Sequence, residues 1–120
     1  TGITVEAKNK RGKNARRIKD AKQLEVHFTI NKNITAPTGM KTIYVRILKP
    51  TNEVLTNGGT FAFENRNLEY SMKRDIEYTG EAQNIVMYWD INEFLSKGTY
   101  RIGIFADGNN IGNATITFEK

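Results

Sequence analysis

Apolar residues recur at every second position along this chain, in short runs separated by turn-forming residues. In the run Leu24, Val26, Phe28 and Ile30 the intervening residues are Glu25, His27 and Thr29. An extended strand puts the first set on one face and the second on the other. Ile43, Val45 and Ile47 alternate with Tyr44 and Arg46 and run into Pro50, which has no N–H to give to a sheet ladder. Tyr100, Ile102, Ile104 and Ala106 alternate with Arg101, Gly103, Phe105 and Asp107, and Ala114, Ile116 and Phe118 with Thr115, Thr117 and Glu119. Asp107-Gly108-Asn109-Asn110 between these last two runs tolerates positive φ, which predicts an antiparallel hairpin. Ile3, Val5 and Ala7 predict a first strand at a sheet edge.

The middle of the chain is less regular. Phe61 and Phe63 follow the turn Asn57-Gly58-Gly59, Leu68 to Tyr78 holds one or two strands, and Ile85 to Trp89 is continuously apolar. Asn92 to Lys97, with Phe94 and Leu95 ahead of Gly98, predicts a single helical turn. The runs amount to seven or eight strands, too many for one open sheet in 120 residues but suited to two packed antiparallel sheets. The expected fold is therefore an all-β sandwich, a single domain spanning residues 1–120 around one core.

Charge changes this picture at one place. Between Lys8 and Lys22 lie eight basic residues and one acid, a net charge of +7, while the other 10 basic and 12 acidic residues sum to −2. The excess of the whole chain, +5, thus belongs to one short segment. Residues 9–20 contain Gly12 and little apolar content beyond Ala15 and Ile18, so they read as a mobile basic loop between the first two strands. Lys10, Arg11, Lys13, Arg16, Arg17 and Lys19 are its candidate anion-binding residues, able to collect phosphates, anionic lipids or acidic saccharides through contacts that weaken with salt. No aromatic residue is interleaved with them, as nucleic-acid binding normally requires.

Composition narrows the chemistry further. Without cysteine there is no disulfide framework, no thiolate metal site and no cysteine nucleophile. No apolar run approaches the ~20 residues that cross a bilayer. His27 is the single histidine, too few for the common zinc sets, and is assigned a surface structural role with no metal. Asp75 with Glu77, or Glu6 with a neighbour across a sheet, offers paired carboxylates, yet no glycine-rich loop accompanies either. Asp107 to Gly112 lacks the alternating ligands and closing glutamate of a calcium loop, and Thr56 to Thr60 lacks the lysine of a phosphate loop, so both read as turns. Trp89 is assigned to the core rather than to sugar stacking. Tyr100, just after a glycine, suggests a tyrosine corner, in which the hydroxyl pins a connection to backbone. Tyr44, Tyr88 and Phe105 point away from their apolar neighbours and are expected under a loop or a partner.

Ser96-Lys97-Gly98-Thr99-Tyr100-Arg101-Ile102-Gly103-Ile104-Phe105-Ala106-Asp107-Gly108 resembles the penultimate strand and turn of bacterial immunoglobulin-like modules. Lys41 to Pro50 and Tyr70 to Tyr78 are similar to the C-terminal domain of exported coiled-coil proteins of Bacteroidetes, often predicted lipoproteins. The resemblance covers roughly Lys41 to Lys120. It implies an immunoglobulin-like β-sandwich in the periplasm or cell envelope, exported by a signal or anchor outside this chain. The function expected is a non-catalytic interaction or spacer module for a protein or cell-surface partner, with no cofactor and no small-molecule substrate. Two alternatives stand beside it: an electrostatic binder of nucleic acid or anionic polysaccharide through residues 8–22, and a carbohydrate-binding sandwich using exposed aromatics.

Overall fold

The computed structural model describes residues 2–30, 38–55, 59–106 and 108–119. Every strand pairing in it is antiparallel, and the described residues contain no α-helix. The strands are β1 (Thr4–Lys8), β2 (Gln23–Ile30), β3 (Gly39–Leu48), β4 (Thr60–Phe63), β5 (Arg66–Glu69), β6 (Met72–Tyr78), β7 (Gln83–Asp90), β8 (Gly98–Ala106) and β9 (Asn109–Phe118). One sheet has the order β1-β2-β7, a second β6-β3-β8-β9, and β4 and β5 form a separate hairpin. Nine described strands replace the expected seven or eight, because Leu68 to Tyr78 divides between β5 and β6 and Phe61 to Phe63 forms a short strand of its own.

Alternation decides what each sheet buries. Leu24, Val26, Ile102 and Ile104 are at most 2% exposed, and they join Phe28, Ile43, Val45, Ile47, Ile85, Met87 and Trp89 in one cluster drawn from both larger sheets. At about 25 cal/mol per Å² of apolar surface, this shared core is the main favourable contribution to folding. β1 lies at the edge of its sheet, as its short apolar run predicts. Ser71, the one buried polar residue among the described residues, is satisfied: its Oγ accepts the Ile47 N–H at 2.9 Å.

The connection from β7 to β8 crosses between the sheets and forms no helical turn over Asn92 to Lys97. Leu95 instead enters the core, and the Tyr100 hydroxyl donates to the Ser96 carbonyl at 2.6 Å. A chain held at both of these points spans the gap rather than coiling within it. Gly98 is required here, since it has φ +141° and a Cβ on it would sit 2.7 Å from Pro50 Cγ.

Aromatic residues that point out of the second sheet are covered. Phe61, Tyr70 and Phe105 form a second buried cluster with Tyr44, Phe63 and Leu68 against it. Tyr44 and Phe61 stack at 4.4 Å between centroids, and Phe63 meets Phe105 edge-on at 5.0 Å. Tyr44 and Phe105 thus lie under the β4–β5 hairpin, whereas Tyr88 is 56% exposed. β8 and β9 pair as far as Ala106 and Asn109, with Gly108 at φ +74° in the turn. Asp107 and the turn residues Thr56 to Gly58 lie outside the described residues. On the side where β6 and β7 are both edge strands, Arg74 Nη1 donates to the Val86 carbonyl at 2.8 Å.

Candidate anion-binding surface

The basic segment is held by the fold rather than hanging from it. Asn9 Oδ1 accepts the backbone N–H groups of Arg11 and Lys13, at 2.9 and 3.2 Å, and the Asn9 N–H donates to the Lys13 carbonyl at 2.7 Å. Asn9 thereby organises a tight turn, in which Gly12 takes φ +78°. The Ala15 N–H reaches the Ala7 carbonyl, and Lys22 and Lys8 close the base of the connection through a 2.7 Å backbone bond. Between these points Ile18, 4% exposed, anchors a 3-10 turn over Ile18–Asp20, and Ala21 is buried beside it. The few apolar residues of this segment are enough to hold it, because Ile18 lies in the core, Ala15 packs against the core, and the backbone bonds close around them.

This arrangement divides the candidate cations. Lys10, Arg11 and Lys19 line a concavity of about 350 Å³ together with Lys22, Asn9 and Asp20. Arg16 lies in a different depression with Ala7, Ala15, Ile18 and Phe118. Lys13 and Arg17 line neither of these. Lys22 escaped the sequence-based candidates because it lies beyond the segment that reads as loop; the register of β2, which starts at Gln23, brings it back to the site. Among the described residues, none of Lys10, Arg11, Lys19 and Lys22 makes an ion pair, while Lys8 holds Glu6 at 3.1 Å and Lys49 holds Glu93 at 2.7 Å. Four cations against the single carboxylate of Asp20 around one hollow leave a local positive field.

The remaining candidates group differently. His27 Nε2 lies 3.2 Å from Glu25 Oε1 and 3.6 Å from Glu6 Oε2 on the outer face of the first sheet, where Glu6 and Glu25 are directly paired across β1 and β2. The three ligand atoms fall within 4.8 Å of one another, close enough to share a metal ion. Lys8 Nζ already holds the same Glu6 oxygen at 3.1 Å, so a cation sits beside the two facing carboxylates. Asp75 accepts from Thr42 Oγ at 2.6 Å and Glu77 is exposed on the same strand. A groove of about 470 Å³ between β6 and β7 is lined by Met72, Lys73, Arg74, Val86, Met87 and Tyr88, with no carboxylate or imidazole among them.

Trp89 is 4% exposed and packs in the core, so it presents no face to a sugar; the exposed aromatics are Tyr88 and Phe94. Burial pushes the Tyr100 phenol above its ordinary value, against the opposing pull of its hydrogen bond to Ser96. Burial lowers the Arg46 guanidinium, whose Nε donates to the Glu69 carbonyl of β5, and the hydrogen bond to Glu93 raises Lys49. No helix among the described residues is long and apolar enough to cross a membrane.

The chain belongs to the family described as a domain of unknown function, DUF8428, whose model matches residues 1–119. No curated protein and no solved structure matches it.

Proposed function

We propose that this chain is an immunoglobulin-like sandwich serving as a non-catalytic binding module, which engages an anionic partner through the connection between β1 and β2. The observation that carries this reading is the convergence of Lys10, Arg11, Lys19 and Lys22 on one hollow, none of them in an ion pair among the described residues and only Asp20 opposing them in the lining. The immunoglobulin-like part is supported by the strand orders β1-β2-β7 and β6-β3-β8-β9 around one core, and by the Tyr100–Ser96 bond at the crossing between them. The chain departs from antibody-type domains in having no cysteine pair and in carrying its tryptophan on β7.

Placement at the cell envelope, as an exported interaction or spacing unit, rests on the resemblance of Lys41 to Lys120 alone. Fractionation of cells expressing the native gene tests it directly. The binding reading is tested by titrating the chain with heparin and with DNA at low and at physiological salt. Binding that weakens with salt yet survives at physiological strength is the expected result. Absence of binding to either polyanion at low salt overturns it.

A further inference from the structure

Resting on the reading of an anionic partner, we infer that the binding site is the hollow between the Asn9–Lys13 turn and the Ile18–Lys22 arm, and that its ligand is an acidic polysaccharide. The four cations come from two stretches of chain, Lys10 with Arg11 and Lys19 with Lys22, so their convergence is a product of folding. Their scaffold is pre-organised: Asn9 fixes one arm by its side-chain bonds to backbone, and the buried Ile18 and Ala21 fix the other. Ligand binding then orders little more than the side-chain ends, which keeps the entropic cost of association low. A hollow of about 350 Å³ takes one or two charged substituents of a chain passing across it.

The lining selects among polyanions by what it lacks and by what it adds. It holds no aromatic ring, so it offers nothing on which nucleobases stack. A three-residue 3-10 turn is too short to enter a major groove as a recognition helix does. Ile18 and Ala21 are spent in the core, which leaves no apolar wedge from this arm for a lipid interface. Asp20 stands among the cations, and although its carboxylate repels sulfate and phosphate alike, it accepts hydrogen bonds from hydroxyl groups, which a glycan carries along its rings and a DNA backbone lacks. Basic clusters of this kind bind polyanions, heparin-like glycans among them, by charge.

The test uses the full chain and a size-defined heparin oligosaccharide in calorimetric titration at low and physiological salt. Two triple variants each remove three charges: Arg11→Ala with Lys19→Ala and Lys22→Ala inside the hollow, and Lys13→Ala with Arg16→Ala and Arg17→Ala outside it. All six residues are exposed, and circular dichroism verifies that both variants fold. The inner triple is expected to weaken binding about tenfold or more, and the outer triple less than about threefold. Equal losses overturn the site while leaving the electrostatic reading intact, and no binding by the unaltered chain removes both. Tighter binding of DNA, or of anionic lipid vesicles, than of heparin at matched charge concentration overturns the polysaccharide assignment.

Discussion

The two outer faces of this molecule are built to opposite rules. On the first sheet, β1, β2 and β7 turn Glu6, Glu25, His27, Thr29 and Asn84 outward, and these meet one another in hydrogen bonds and ion pairs under solvent. On the second, β3 and β8 turn Tyr44 and Phe105 outward, and the β4–β5 hairpin lies over them. Sheets of the same pairing can thus be open or roofed according to a pair of large residues at outward positions. Two aromatic rings paired at neighbouring outward positions, as Tyr44 and Phe105 are, mark a second layer because that much apolar surface is costly to leave in water, whereas the lone Tyr88 on the open face stays 56% exposed.

This contrast is broken most severely at Phe105. Phe105→Ala empties the centre of the roofed face, where Phe61 and Phe63 both contact its ring, and is expected to cost about 3–5 kcal/mol in urea unfolding. Tyr100→Phe acts between the sheets rather than on either face. It removes the bond to Ser96 and leaves that carbonyl without its phenol donor, for an expected loss of about 1 kcal/mol near neutral pH. It also changes the response to alkali. The folded chain holds the Tyr100 proton more tightly than the unfolded chain does, so its contribution is complete below the ordinary tyrosine value of about 10 and falls as pH rises through the raised one. Denaturation followed from neutral pH into that range is expected to show a shallower decline for Tyr100→Phe; Lys49, raised by Glu93, supplies a similar slope that persists in both chains. The smallest effect belongs to the open face. Glu25→Gln removes a partner of His27 but also relieves repulsion with Glu6 directly across the strands, and is expected to shift stability by no more than about 0.5 kcal/mol in either direction.

Much of this plan is legible in the sequence where burial is one-sided. β2, β3 and β8 announce themselves by strict alternation, and the outward aromatics point to a covering layer correctly for Tyr44 and Phe105 but not for Tyr88, which stays exposed. The hairpin that covers the pair consists of two four-residue strands, too short to show a period. Asn92 to Lys97 misleads because apolar Phe94 and Leu95 before a glycine look like the end of a helix, whereas Phe94 is exposed and Leu95 serves the distant core. The basic segment is legible as charge but not as a site. Which cations converge depends on the Asn9 turn and on Ile18 finding the core, both tertiary facts, and so Lys22 joins the hollow while Arg16 leaves it.

The single guanidinium contact between Arg74 and the Val86 carbonyl has a consequence for life in crowded solution. β7 ends its sheet and β6 ends the other, so two unpaired strand margins run along the same side of the molecule. A free margin is a template on which a neighbour's strand can zip, the first step toward fibrils. With Arg74 spanning the gap, the outward acceptor at Val86 is already occupied, and any incoming strand has to evict a charged side chain before it can add itself to the stack.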